Sequence, residues 1–166
     1  MARSRSNPIV GVARTARVSA VSCLLALGLA GCGAGQPLTL EGVYAASFTG
    51  VESSERLVLH SDTEWTELWT DVVRGQSEPP AKPAVDFGRK MLLFAALGTR
   101  LSGGFQVGIT EAVLDGDLLR VEVRESQWPG CPTIAALTQP VVAVAVERGN
   151  WTVSFHDVVR SVPCGQ

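Results

Sequence analysis

Apolar residues recur along this chain with two periods, one typical of a helix and the other of β-strands. After Ser61, the apolar positions return every three or four residues and so share one helical face: Trp65, Leu68, Trp69, Val72 and Val73. Ser61 and Glu64 have the spacing of a capping box, and Gly75 is a typical helix stop. The pattern predicts one amphipathic helix whose two tryptophans belong to the core and do not form a ligand platform.

The remaining apolar segments predict strands. Lys90–Leu97 and Val141–Val146 are almost continuously apolar, which is typical of strands buried on both faces. Residues 119–124 alternate aliphatic with charged side chains, which predicts a strand with one solvent-exposed face after a hairpin turn at Asp115–Asp117. Further strands are predicted at Val43–Gly50, which would be an edge strand, and at Arg56–His60, Phe105–Leu114 and Trp151–His156.

These elements predict an α+β domain over residues 43–166. One amphipathic helix would pack on a twisted, mostly antiparallel β-sheet of about six strands. The short connections between successive strands favour antiparallel pairing. A β-sandwich with a single helical insertion is the alternative architecture.

The N-terminus has the pattern of a bacterial lipoprotein signal. Four arginines precede the uncharged stretch Val18–Gly31, whose length fits a signal peptide and is shorter than the ~20 residues that span a bilayer. The stretch ends in Leu29–Cys32, which resembles a lipobox. We therefore predict a signal peptide over residues 1–31, a lipid on Cys32, and a flexible tether over residues 32–42.

A lipid on Cys32 would hold the protein on a membrane of the cell envelope. The next residue is Gly33 and not aspartate, so the expected location in a bacterium with two membranes is the outer membrane. Without residues 1–31, the chain has sixteen acidic and ten basic residues, a net charge of −6. This charge argues against nucleic acid as a partner.

Two cysteines, Cys131 and Cys164, remain beyond the lipobox. In an oxidising compartment an even pair favours a disulfide, with two free buried thiols as the alternative. The sequence has no C-x-x-C motif, and its two histidines, His60 and His156, are isolated, so neither a metal site nor a cofactor is expected. Because no nucleophile elbow or base–nucleophile set is present either, the sequence predicts a protein that is not an enzyme.

An ordered set of short motifs resembles the PrcB C-terminal domain family. The motifs span roughly residues 52–156: Glu64-Trp65-x-x-Leu68-Trp69, Pro83–Phe87, Met91–Leu93, Gly98-x-x-x-Ser102-Gly103-Gly104-Phe105, Pro129-x-Cys131 and Thr138-x-Pro140-Val141. The family is named after a non-catalytic subunit of a bacterial surface protease complex. The resemblance therefore implies a binding or assembly module whose partner is another envelope protein, with a protease as one candidate.

The expected partner-binding segments are the loops around Gly98–Gly104 and Gln127–Pro132, because Phe105 and Trp128 could serve there as aromatic anchors. The candidate binding residues are Leu101, Ser102, Gly103, Gly104, Phe105 and Trp128. The glycine-rich loop that ends at Phe105 also resembles, faintly, a loop of chagasin-type cysteine-protease inhibitors. A loop-based protease inhibitor is therefore the alternative function, although the other inhibitor motifs are missing from this sequence.

Overall fold

The structure is a computed structural model that describes residues 35–165. The predicted signal peptide and Cys32 lie outside the described residues. Within residues 35–165 no helix is long and apolar enough to cross a membrane. The elements are β1 (Gln36–Pro37), β2 (Glu41–Ala46), β3 (Ser54–Leu59), α1 (Asp62–Val72), β4 (Lys90–Leu97), β5 (Phe105–Asp115), β6 (Leu118–Gln127), β7 (Val141–Glu147) and β8 (Thr152–Ser161).

The strands form two four-stranded sheets, with the orders β2-β7-β4-β3 and β1-β5-β6-β8. Every pairing is antiparallel except that of β6 with β8, which is parallel over ten residues. The predicted α+β class, with one helix on mostly antiparallel strands, is confirmed. The described strands number eight and lie in two sheets, so their arrangement is that of a sandwich that carries one helix.

Strands β4 and β7 form the middle layer of the domain. Their side chains alternate between two apolar clusters, one under the helix and one between the sheets. Leu92, Phe94 and Ala96 face α1, whereas Met91, Leu93 and Ala95 face β5 and β6. Burial on both faces explains why these two strands are continuously apolar in sequence, as predicted.

Helix α1 begins at the predicted capping box. The Glu64 amide donates to the Ser61 hydroxyl at 3.3 Å, and the Glu64 carboxylate accepts from the backbone amides of His60 at 2.6 Å and Ser61 at 2.9 Å. The hydrogen bond from the His60 amide, followed by that from the Ser61 side chain, holds the pKa of Glu64 below its ordinary value. Trp65, Leu68, Trp69 and Val72 are buried under the helix, so the predicted core face is confirmed.

The outer face of the β5-β6 hairpin is polar, as the alternation in sequence predicts. Thr110 donates a hydrogen bond of 2.6 Å to Glu122, and Arg124 lies 2.6 Å from the same carboxylate oxygen. The Thr110 hydroxyl is the main cause, and Arg124 the next, of a pKa for Glu122 below its ordinary value. Inward-facing Leu119, Val121 and Val123 fill the space between the sheets.

Ordered structure begins inside the range that was predicted as a tether. Gln36–Pro37 pairs with Val113 and Leu114 of β5, and the Leu38 amide donates to the Ala112 carbonyl at 2.8 Å. Strand β2 then starts at Glu41. An extended segment with Pro37 is compatible with an edge strand, since a proline there needs no amide hydrogen for the sheet. These residues therefore belong to the domain.

Candidate functional site

Three loops meet at one end of the sandwich, which we call the loop end: Ser47–Ser53, Gly98–Gly104 and Trp128–Pro140. The strand pairs Ala96–Val141, Ala46–Val141 and Phe105–Gln127 place the ends of both sheets there. The opposite end carries the β5-β6 turn at Gly116, where the chain adopts a φ of 61°. Loops at one end of a rigid scaffold are a common place for binding residues.

Backbone hydrogen bonds join the Gly98–Gly104 loop to the Trp128–Pro140 loop. Arg100 and Thr138 exchange amide–carbonyl bonds of 2.8 and 2.9 Å, and the Gly103 amide donates to the Ile134 carbonyl at 3.0 Å. The buried Thr138 hydroxyl donates to the Ser102 carbonyl at 2.8 Å. With so many polar groups of the backbone satisfied inside the loops, the loop end is a fixed surface and not a set of independent flexible segments.

The first loop, Ser47–Ser53, is attached to the other two in the same way. The Gln139 amide donates to the Ser47 carbonyl, and the Thr49 hydroxyl donates to the Gln139 carbonyl, both at 2.8 Å. Gly98 has a φ of 73°, and a Cβ atom there would lie 2.7 Å from the Glu52 carbonyl oxygen. A glycine is therefore required where the Gly98–Gly104 loop crosses the first loop.

Arg100 supports the base of the Gly98–Gly104 loop. Its guanidinium lies 3.0 Å from the Glu125 carboxylate, donates to the Leu97 carbonyl at 2.7 Å, and stands 5.6 Å from the centre of the Phe105 ring. Gln127 donates to the other Glu125 oxygen at 2.8 Å. The arginine is mostly shielded from solvent, so its role is to position the loop and not to present a free charge.

The structure brings the sequence-predicted binding residues together but exposes them unequally. Leu101 is 83% exposed, Ser102 and Gly103 are half-buried, and Gly104 is buried. Phe105 and Trp128, which were expected as aromatic anchors, are both half-buried. The Trp128 amide donates to the Gly104 carbonyl at 3.2 Å, so the two loops are direct neighbours. Leu101 is the residue of this set that is most available to a partner.

Three further apolar side chains are exposed at the loop end and were missed from the sequence. Ile134 is 55% exposed, Leu137 58% and Phe48 54%. The side chain of Ile134 lies over Gly103, where an added Cβ would come within 2.6 Å of it. The available signal was the apolar stretch Ile134–Leu137 between two prolines, where neither strand nor helix periodicity explains apolar side chains.

Cys131 and Cys164 lie at disulfide distance, with sulfur atoms 2.07 Å apart and Cα atoms 5.4 Å apart. This geometry supports the predicted pairing. The bond attaches the C-terminal segment after β8 to the Trp128–Pro140 loop. Just before that loop, the Val162 amide donates to the Gln127 carbonyl at 2.7 Å. The disulfide thus belongs to the framework of the loop end.

Titratable groups do not gather into a catalytic arrangement in the part of the chain that the structure describes. His60 precedes the helix and His156 lies within β8, and both are exposed. Among residues 35–165 no group of three or more histidine, cysteine or acidic residues could hold a metal ion. The loop end offers apolar side chains and backbone polar groups, which are the chemistry of a binding surface.

Comparison with known families gives a match to part of the domain. Residues 91–147 match the family model described as PrcB C-terminal. This segment is therefore similar to the PrcB C-terminal family. The match covers about a third of the 166 residues, less than the resemblance over residues 52–156 suggested. Neither the curated proteins nor the solved structures contain a match to the chain.

The PrcB C-terminal segment runs from β4 to β7. It therefore contains the middle layer of the domain and, with the Gly98–Gly104 and Trp128–Pro140 loops, most of the loop end. Helix α1, β8 and Cys164 lie outside it. The six binding residues predicted from the sequence belong to the matched segment, as do Ile134 and Leu137, whereas Phe48 lies outside it.

Proposed function

We propose that this protein is a lipid-anchored, non-catalytic protein-binding module of the bacterial cell envelope. Its partner would be another envelope protein, and the name of the related accessory subunit makes a protease a candidate. The proposal rests on one observation, the exposed apolar side chains of Leu101, Ile134, Leu137 and Phe48 on the hydrogen-bonded loop end.

Burial of these side chains by a partner would be favourable. Clustered exposed aliphatic and aromatic groups on a soluble domain mark interaction surfaces more often than scattered ones do. A surface that is already ordered loses little conformational entropy on binding. The hydrogen bonds from Arg100, Gly103 and Thr138 supply this order before any partner arrives.

The proposed anchor and the loop end would lie at opposite ends of the domain. Gln36 pairs with Leu114, which is nine residues along β5 from Phe105 and therefore about 30 Å from the loop end. Cys32 precedes Gln36 by four residues, which span at most about 14 Å. The end of the domain that carries the β5-β6 turn at Gly116 is called the turn end here. A lipid on Cys32 would then hold the turn end near the membrane and leave the loop end facing away from it.

Leu101→Asp and Ile134→Asp are expected to weaken the association with the partner by about tenfold or more each. The aspartate carboxylate would lose its water on binding, and the partner's apolar surface would offer no compensating contact. The measurement is the amount of envelope protein that is cross-linked to and co-purified with the full chain from native membranes. Thr152→Asp, at another exposed position but at the turn end, is the matched control and should leave the association unchanged.

Equal losses for Thr152→Asp and the loop-end variants would contradict binding at the loop end. The same proteins also test the alternative function, since the Gly98–Gly104 loop and Trp128 are adjacent as an inhibitor would require. Tight inhibition of a papain-like protease that Leu101→Asp abolishes would favour an inhibitor. Turnover of a peptide or ester that is lost on substitution of His60 or His156 would favour an enzyme.

Cys32→Ala is expected to abolish lipid labelling and to move the protein out of the membrane fraction. The thiol of Cys32 is the proposed acceptor of the lipid, and the described domain contains no helix that could hold it in a membrane instead. Cys23→Ala, within the predicted signal peptide, is the control and should still be labelled. Unchanged membrane fractionation of Cys32→Ala would overturn the anchoring proposal.

A further inference from the structure

Strand β5 has an uncovered edge next to the loop end. On one side it pairs with β6 along its whole length, Phe105 to Asp115. On the other side β1 covers only Val113 and Leu114, with one more hydrogen bond from Leu38 to Ala112. Among residues 35–165 no strand pairs with Phe105–Ile109 on that side. Backbone donors and acceptors along this edge are therefore free for another strand.

A groove runs beside this edge and separates β5 from β2 of the other sheet. Its volume is about 310 Å³, and its lining consists of small, apolar or neutral polar residues, without a charged side chain: Ala45, Ala46, Ser47, Gln106, Val107, Pro140 and Val141. Ala45 pairs with Val142, whose side chain faces the space between the sheets, so Ala45 faces the groove. The groove is an open side of the inter-sheet core.

An ion pair joins the two sheets on the opposite side of the sandwich. There Arg56 of β3 contacts Asp157 of β8 at 2.8 Å and bridges the two sheets. Charged side chains at sheet edges are a common means of preventing the addition of further strands. The β5 edge has no such pair at Phe105–Ile109, where the edge residues are Phe105, Gln106, Val107, Gly108 and Ile109.

We propose that the edge Phe105–Ile109 binds an extended segment of a partner protein, which adds to the sheet as an antiparallel strand in line with β1. The pairing of β1 shows that this edge accepts an extended chain in that direction. Alternate side chains of the added strand would enter the groove, and the others would face solvent above Gln106 and Gly108. The preferred segment would alternate small aliphatic residues with polar ones and carry no charge on the inward positions.

Two features connect this edge with the proposed function, on which the inference depends. Phe105 directly follows the Gly98–Gly104 loop, so a strand on β5 would continue into a contact with the loop end. The bulge between Ile109 and Glu111 lies between this edge and the residues that β1 and Leu38 cover, Ala112 to Leu114. Bulges of this kind are frequent beside binding sites, where they end a regular pairing.

The test uses the full chain, purified in detergent, and a synthetic seven-residue peptide of alternating valine and serine with a lysine at each end. The peptide is expected to slow hydrogen exchange about tenfold at those amides of Phe105–Ile109 that point away from β6, and to change exchange nowhere on β8. Two further peptides carry N-methyl groups on either the valine or the serine amides. In a bound peptide strand, only every second residue directs its amide N–H toward β5. One of the two methylated peptides is therefore expected to lose binding and the other to retain it.

Equal binding of the two N-methylated peptides, or protection confined to β2, β3 or β8, would overturn the proposal. Slow exchange at Phe105–Ile109 without peptide would also overturn it, because a second copy or an N-terminal segment of this chain would then occupy the edge. The peptide experiment needs no native partner. Its failure is therefore distinguishable from failure of the loop-end proposal, which co-purification measures.

Matched substitutions test the groove itself. Ala45→Phe fills the space that the inward side chains would occupy, and the peptide-induced protection should disappear. Arg120→Phe places the same ring on the outer face of β6, away from the groove, and should leave the protection unchanged, since Leu119 and Val121 on either side of it face inward. Thermal melting of both variants reports whether the fold is intact, and the N-methylated peptides on the unsubstituted chain decide the question if it is not.

Discussion

Trp65→Ala is expected to lower the free energy of unfolding by about 3–5 kcal/mol, which is much of the stability of a domain of this size. Trp65 is fully buried, and its ring meets that of Trp69 edge to face at a centroid distance of 5.2 Å. Its indole N–H donates to the Pro83 carbonyl at 2.9 Å. Truncation would leave a large cavity between α1 and the β4-β7 layer and also an unpaired carbonyl. Chemical denaturation of the full chain gives the measurement.

Two controls separate these contributions. Trp65→Phe keeps most of the packing but removes the N–H group, so its cost should be well below that of Trp65→Ala. Glu67→Ala changes an exposed position of the same helix and should alter stability by about 0.5 kcal/mol or less. If Trp65→Ala unfolds at the same denaturant concentration as the unsubstituted chain, the tryptophan face is not part of the core.

The helix and the two doubly buried strands could be predicted because each leaves a local signature. Ser61 and Glu64 satisfy each other's amides, and the residues that follow place a full apolar face on one side. Strands β4 and β7 are apolar at successive positions because they have a neighbouring layer on each face. Such signatures depend on residues within about a dozen positions of one another, which a sequence displays directly.

The division into two sheets could not be predicted, because it depends on which strand edges are already occupied. The short connection at Gly149 and Asn150 favours an antiparallel hairpin between β7 and β8. In the structure, however, β7 has β2 on one edge and β4 on the other. Strand β8 therefore passes to the second sheet and pairs with the free edge of β6, parallel to it. Competition of this kind involves strands that are far apart in sequence.

The sequence indicates where the candidate site lies but only some of the side chains that it exposes. The glycines and Trp128 correctly indicated two loops, which the structure brings together. Which side chains are exposed depends on the hydrogen bonds between the loops, such as those of Arg100 with Thr138, which bring Leu137 close to Leu101. The sequence predicts Phe105 to be an aromatic anchor, yet in the structure the Arg100 guanidinium stands over its ring. Exposure at the loop end is thus a tertiary property.

Loss of the Cys131–Cys164 bond is expected to lower the free energy of unfolding by about 3–4 kcal/mol. The bond joins residues 33 positions apart, and a cross-link over a loop of this length removes conformational freedom mainly from the unfolded chain. Cys131 is half-buried and Cys164 is exposed, so Cys131→Ser and Cys164→Ser leave no large cavity. The loop would instead lose its attachment to the C-terminal segment, and partner binding at the loop end should fall with stability.

The double substitution of Cys131 and Cys164 is the control for this interpretation. If the two sulfurs form one bond, the double variant should be about as unstable as either single variant, because the second change removes nothing further. A reducing agent should bring the unsubstituted chain to the same stability and leave the double variant unaffected. Costs that add when the two substitutions are combined would mean that the cysteines act separately and that no disulfide joins the C-terminal segment to the loop end.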